Sequence, residues 1–306
     1  MGVRISVKQP DRAELATLSV AGPAGAAGAD VPDPAPLLRI RPARGRARLD
    51  LGELWSYREL LYFLAWRDVK VRYKQATLGV AWVILQPILT VTLFTILFGR
   101  LLKAPSQGVP YAVFVFAALL PWQLFATALN KSGNSVVLNE QLVTKVYFPR
   151  ILLPVASVLA SLIDFAVAFL VLLVLLFYYG IVPSAALALL PLFMLAALGT
   201  GLAAGLWLSA LNARYRDVQH LLPFLTQFWF FATPIAYSST LVPESWRTVL
   251  GLNPMAGVAE GFRWALLGQE LTVGPMILVS VGLSTALLVG GLLYFLRMET
   301  TFADVV

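Results

Sequence analysis

Six stretches of this chain are long, apolar and almost free of charge: residues 78–98, 109–129, 151–179, 185–211, 221–237 and 272–296. The one charged side chain among them is Asp164, in the third. A helix crosses the hydrocarbon of a bilayer in about 20 apolar residues. Each stretch meets that length, the longer ones by tilting, with the fifth only marginal. Of the 306 residues, 59% are hydrophobic and 13% charged, against about a quarter charged in soluble domains. A soluble globule could not hide so much apolar side chain behind so little charge. The reading is an all-α integral membrane protein with six transmembrane helices.

The polar residues then set the orientation. With the N-terminus in the cytoplasm, the basic residues before residue 78 share that side with Lys131, Lys145, Arg150, Arg214, Arg216 and Arg297. Only Arg100, Lys103, Arg247 and Arg263 fall opposite. That is the bias of a multi-pass protein with both termini cytoplasmic. It also accounts for the formal net charge of +7 without a nucleic-acid partner.

Residues 1–50 are rich in Ala, Pro and Gly and poor in bulky apolar side chains. Such a segment buries too little surface to offset its ordering entropy, so a disordered cytoplasmic N-terminal extension is expected. It has no signal-peptide apolar core. Over residues 51–77, Leu54, Tyr57, Leu61, Leu64, Ala65 and Asp68 recur at helical spacing between basic residues. This predicts an interfacial amphipathic helix anchored by Trp55, Tyr62 and Trp66; a helix of a small soluble domain is the alternative. Residues 238–271 are too apolar for a solvated loop and too broken by Pro, Gly, Glu260 and Arg263 to span. A re-entrant outer segment before the last span fits them, with an extramembrane cap as the alternative.

Chemistry-bearing patterns are scarce. Cysteine is absent and His220 is the single histidine, so no thiolate or histidine metal site is expected. No phosphate-cradling glycine loop and no nucleophile elbow occurs, which argues for a non-enzymatic chain. Asp164 either serves function or fixes helix packing. Gly201 and Gly205, four apart, present a small face suited to close helix approach. Trp122, Phe125, Trp207, Phe228, Trp229, Phe230, Trp246 and Trp264 offer stacking faces for sugar rings along a path, or form an interfacial belt with lipid-facing bulk. The mixed polar and apolar stretch 139–150 is long for a connector and suits a surface on which another protein acts.

Several blocks in order carry a resemblance. Arg67-Asp68-Val69-Lys70-Val71-Arg72-Tyr73-Lys74 is followed by Gly79 to Trp82 and Gln86-Pro87. Further on come Lys145-Val146-Tyr147-Phe148-Pro149-Arg150, Asn212 to Val218, Thr233-Pro234-Ile235 and Asn253-Pro254-Met255. These resemble the ABC-2 type permeases that export O-antigen, capsule and teichoic acid chains, with residues 78–306 as the six-helix ABC-2 transmembrane domain. The resemblance implies a homodimer in the bacterial inner membrane, served by two copies of a nucleotide-binding ATPase subunit that holds ATP and Mg, with no cofactor in this chain. It implies an ATPase-coupling surface of Asn139, Glu140, Leu142, Lys145, Phe148, Pro149, Arg150, Arg214, Arg216 and Asp217. The cargo would be an undecaprenyl-linked glycan, with Arg67, Arg72 and Arg150 as candidates for its pyrophosphate headgroup. An ABC-2 exporter of a smaller lipid or drug, or a membrane enzyme acting on polyprenyl phosphate, are the competing readings.

Overall fold

The computed structural model describes residues 3–6, 39–42, 51–74, 79–268, 274–299 and 302. The chain forms two units, Met1–Arg48 and Leu49–Val306. In the first, β1 (Val3–Ser6) pairs antiparallel with β2 (Arg39–Pro42), Val3 opposite Pro42. Apart from those strands, the extension expected to be disordered lies outside the described residues.

The second unit is helical. α1 (Leu51–Ser56) and α2 (Arg58–Lys74) precede α3 (Gly79–Phe94), which widens into a π-helical turn over Thr95–Leu101. Next come α4 (Tyr111–Leu138), the short α5 (Glu140–Lys145) and α6 (Leu152–Tyr178). α7 (Leu190–Arg214) follows a 3-10 turn, and α8 (Val218–Ala232) leads to α9 (Glu244–Gly251), α10 (Pro254–Leu267) and α11 (Gly274–Met298).

α4 is the central helix, buried around most of its circumference between α6, α7, α8 and α10. Lipid is as apolar as leucine, so helices in it associate through close fit rather than hydrophobic drive. Gly201 and Gly205 supply that fit. A Cβ on Gly201 would lie 2.8 Å from the Ala128 Cβ, and one on Gly205 would lie 1.6 Å from the Ser132 hydroxyl oxygen. The glycine face therefore lets α7 lie directly on α4.

Two apolar cores result. The larger gathers α4, α6, α7 and α10 around Phe114, Phe116, Phe125, Leu172 and Phe262. The smaller joins Leu64 of α2, Val143 of α5, Phe148, Leu152 of α6, Leu206 of α7, Phe295 of α11 and Phe302. Leu54, Tyr57, Leu61 and Ala65 pack against this second core, while Trp55, Tyr62 and Trp66 are exposed.

Among the described residues, five helices are long and apolar enough to cross a membrane: Ala81–Leu101, Tyr111–Leu138, Leu152–Tyr178, Ala185–Arg214 and Ile277–Met298. The stretch 221–237 is not among these five. There the helix is Val218–Ala232, 15 residues, or about 22 Å at 1.5 Å per residue. Pro234 is the cause. It disfavours helical backbone in the residue before it, and Thr233 is extended at φ −99, ψ 136. A correction concerns Lys131, placed after the second stretch; α4 runs on to Leu138 and carries Lys131 inside it.

Residues 238–271 contain α9 and α10. α10 is buried along most of its length and packs on α4, α7 and α11.

Candidate functional site: a polar cleft, its charged foot and the end face

A cleft of about 840 Å3 opens between α3, α4, α6 and α8. Helical periodicity builds its walls. Trp82, Gln86 and Thr90 follow one face of α3, Gln123 and Thr127 one face of α4, and Ser161 and Phe165 one face of α6. Phe230 of α8 and Trp122 close it, their rings 5.6 Å apart and edge to face. Amides and hydroxyls beside aromatic rings, inside an otherwise apolar bundle, make a lining that binds a ligand with both polar edges and apolar faces.

The foot of the cleft is charged. Arg72, from the last turn of α2, is ion-paired to Oδ2 of Asp164 on α6. The Tyr73 hydroxyl donates to Asp164 Oδ1 at 2.7 Å, and the Lys131 ammonium of α4 lies 3.5 Å from Oδ2. Withdrawal from water, partly opposed by the Arg72 charge, raises the Tyr73 phenol above its ordinary value, so it remains a hydrogen-bond donor at physiological pH. One turn earlier, Arg67 donates to Asp68 Oδ1 and to Asn139 Oδ1, each at 2.8 Å.

The residues expected to form the coupling surface divide in two. Glu140, Lys145, Arg214, Arg216 and Asp217 are exposed, the last three at the α7–α8 turn. The others are turned inward or already engaged. Phe148 is buried and Leu142 packs on the second core. Asn139 donates its amide to the Ser135 carbonyl at 2.7 Å while accepting from Arg67. Pro149 accepts from the Leu152 N–H at 3.1 Å. Arg150 holds the C-terminal stretch: its backbone N–H donates to Glu299 Oε1 at 2.7 Å and its guanidinium to the Glu299 carbonyl.

Of the aromatic residues singled out, Trp122 and Phe230 line the cleft. Phe125 and Trp229 pack behind them, 4.9 Å apart. The rest lie elsewhere. Trp207 stacks on Tyr294 at 4.8 Å between α7 and α11, and Trp264 meets Phe193 edge-on at 6.4 Å. Trp246 is exposed on α9, and Phe228 is 68% exposed in an outward stripe with Leu221, Phe224 and Phe231.

A further polar centre was not anticipated. Arg263 of α10 is fully buried, with its guanidinium 3.7 Å from the Phe114 ring centroid and 3.0 Å from Glu260. It donates to the carbonyls of Phe114, Tyr237 and Ile235 at 3.3, 3.3 and 2.6 Å. Asn253 adds bonds to the Ala232 carbonyl at 3.1 Å and to the Thr233 hydroxyl at 2.9 Å. These donors satisfy the backbone that Pro234 unwinds. The three-residue spacing of Glu260 and Arg263, which puts opposite charges on one helix face, was the available signal.

The family described as "ABC-2 type transporter" matches residues 59–267. The chain is 33% identical over 254 residues to "O-antigen export system permease protein RfbA" of Myxococcus xanthus, covering 82% of this chain and 97% of that protein. It is 29% identical over 262 residues to a protein of the same name from Klebsiella pneumoniae, covering 85% and 98%. Against "Polysialic acid transport protein KpsM" of Escherichia coli the identity is 24% over 242 residues, covering 76% and 91%.

Proposed function

We propose, since the chain belongs to the ABC-2 type transporter family, that it is the membrane-spanning permease of an ATP-driven exporter of undecaprenyl-linked polysaccharide, with O-antigen as the cargo. The observation that carries this reading is the cleft, with Gln86, Gln123, Thr127 and Ser161 beside Trp82, Trp122 and Phe230. Sugar rings present hydroxyls at their edges and C–H groups on their faces. Amides suit the first and indole or phenyl rings the second. The names of the relatives, matched over nearly their whole length, support the same cargo class.

In this reading a separate ATPase subunit, two copies per complex, holds ATP and Mg and does the hydrolysis. It docks against Glu140, Lys145, Arg214, Arg216 and Asp217, the exposed charges of the end face. A second copy of the chain pairs along the apolar stripe of α8. Arg72 comes first among the headgroup candidates because it alone of the three lines the cleft; Arg67 bonds Asn139 and Arg150 bonds Glu299, neither of which lines it.

The protein lies in the bacterial inner membrane with both termini cytoplasmic and six crossings. Leu64 and Phe302 share one core, which supports an even number of traverses. α8 and its extended continuation supply the sixth. Leu222 lies against Gly133, Thr226 bonds Asn130, and the Ala236 carbonyl accepts from Tyr111, so this segment follows α4 through most of its length. α9 and α10 then return as a re-entrant pair.

The test is purification of the tagged chain from a strain whose own O-antigen permease it replaces. A two-plus-two complex with an ATPase, together with restored surface O-antigen, is expected. A chain that purifies without an ATPase and restores nothing sinks the proposal. The cleft volume, within the ~300–1,000 Å3 of small-ligand pockets, favours a second reading, export of a smaller amphiphile. ATPase stimulation by such a compound in a glycan-deficient strain separates the two.

A further inference from the structure

Asp164 has more positive charge around it than it can neutralise. Arg72 and Lys131 both address its Oδ2 oxygen, and Tyr73 takes Oδ1. The other carboxylate near the foot of the cleft, Asp68, accepts from Arg67 at 2.8 Å and from the Ser157 hydroxyl at 3.5 Å. Three cations therefore face two carboxylates across α2, α4 and α6. The excess charge is within reach of a ligand: the side chains of Arg72, Lys131 and Asp164 are 38%, 24% and 17% exposed. Arg72 and Asp164 also lie on the cleft wall.

We propose that Arg72 and Lys131 form a binding site for a phosphate or pyrophosphate group, and that Asp164 occupies this site as a displaceable counter-ion until the ligand arrives. This rests on the permease reading above and deepens it. A phosphate group carries up to about two negative charges and three acceptor oxygens, against one charge and two oxygens for a carboxylate. The planar guanidinium of Arg72 accepts it bidentately, and the Lys131 ammonium supplies a point charge beside it. Asp164 keeps the two cations paired when the site is empty, at a depth where an unpaired charge is costly. Entry of the ligand releases Asp164 to Tyr73 alone and loosens the tie from α2 to α6, so that occupancy of the cleft is felt by α2. Its source can be a lipid headgroup or free phosphate.

Binding of farnesyl pyrophosphate, inorganic pyrophosphate and farnesol to the purified complex in phosphatidylcholine nanodiscs, followed by calorimetry, tests this. Asp164→Asn removes the competitor and is expected to tighten farnesyl pyrophosphate about tenfold, while Arg72→Gln or Lys131→Met weakens it about tenfold. An Asp164→Asn protein that folds and binds no tighter overturns the proposal, since a purely packing role predicts that result. Should Asp164→Asn fail to fold, Arg72→Gln and Lys131→Met each leave the carboxylate one cation, and unchanged affinity in both overturns it. Inorganic pyrophosphate bound as well as the lipid form supports the site and identifies free phosphate as its ligand. Farnesol bound equally well overturns it. The assay needs no transport: tightened binding without any O-antigen export keeps the site and removes the exporter reading, and the reverse pattern does the opposite.

Discussion

The Tyr111 hydroxyl donates a 2.6 Å hydrogen bond to the carbonyl of Ala236, setting the first residue of α4 level with the unwound end of α8. Between that bond and the contact of Leu222 with Gly133, a 15-residue helix and an extended tail run the distance that α4 covers as continuous helix. A backbone carbonyl without a partner in hydrocarbon costs several kcal/mol. The tail persists because Tyr111, Asn253 and Arg263 are aimed at its oxygens. Phe230, one turn before the tail, is also a wall of the cleft, so the same bonds position the cleft's lining.

Arg263→Met is expected to be among the most damaging substitutions in the chain. It strands Glu260 and frees three carbonyls, and losing one member of a buried pair costs about 3–5 kcal/mol. Arg263→Lys cannot reproduce the forked geometry and should rescue little. Tyr111→Phe removes a single bond and should cost about 1 kcal/mol. Unfolding in a mixed-micelle SDS titration gives the order: Tyr111→Phe mild, both Arg263 variants severe.

Two glycines of α7, six residues apart, should behave oppositely. Gly205→Ala drives a methyl group into Ser132, and overpacking of that kind costs about 1–3 kcal/mol. At Gly199 a Cβ meets nothing within 4 Å, so Gly199→Ala should be neutral or gain up to about 1 kcal/mol from helix propensity. The same titration reads both. Equal effects would mean that the α4–α7 seam does not depend on close approach.

Much of this architecture was legible because apolar run length and small-residue spacing are local signals. The helices α3, α4, α6, α7 and α11 follow from long apolar runs, and the close-approach face of α7 follows from Gly201 and Gly205. The fifth run outlasts its helix because Ile235 and Ala236 continue its apolarity past Pro234, while the helix ends at Ala232. The apolar run stops at Leu129, before Lys131, yet Ser132 and Gly133 continue the helix as a buried face against α7. Arg263, counted as an outward charge, is fully buried because Glu260 and backbone carbonyls pair with it. The meeting of Arg72, Lys131 and Asp164 joins residues 92 and 33 positions apart, and no spacing rule reaches that far.

The end face offers a test of docking that spares the fold. Lys145, Arg214 and Arg216 are exposed, and rim charges act mainly on association rate and its salt dependence. The triple reversal to Glu should slow capture of the ATPase by about tenfold or more at low salt while leaving the permease monodisperse. Raising the ionic strength should shrink the difference, because exposed charges are screened within about 8 Å at physiological salt. Biolayer interferometry over a salt series checks both points, and capture that ignores the reversal would place docking elsewhere.

The polarity of the cleft separates the two cargo readings directly. Gln123 lines it from α4, one turn from Thr127, with Trp122 beside it. If sugar hydroxyls pass this wall, Gln123→Leu removes a partner for them without changing volume much. One lost hydrogen bond of about 1 kcal/mol should lower glycan export about fivefold, with complex assembly and basal ATP hydrolysis unchanged. Leu170→Ala, at an exposed apolar position of α6, is the matched control and should leave export intact. An apolar amphiphile responds the other way, because leucine makes the wall more favourable to it and its export should hold or rise. Export rate in Gln123→Leu, measured against surface glycan and against a fluorescent lipid in the same cells, therefore assigns the cargo by sign: a fall for glycan alone supports polysaccharide, and a rise for the lipid with glycan unchanged supports the smaller amphiphile.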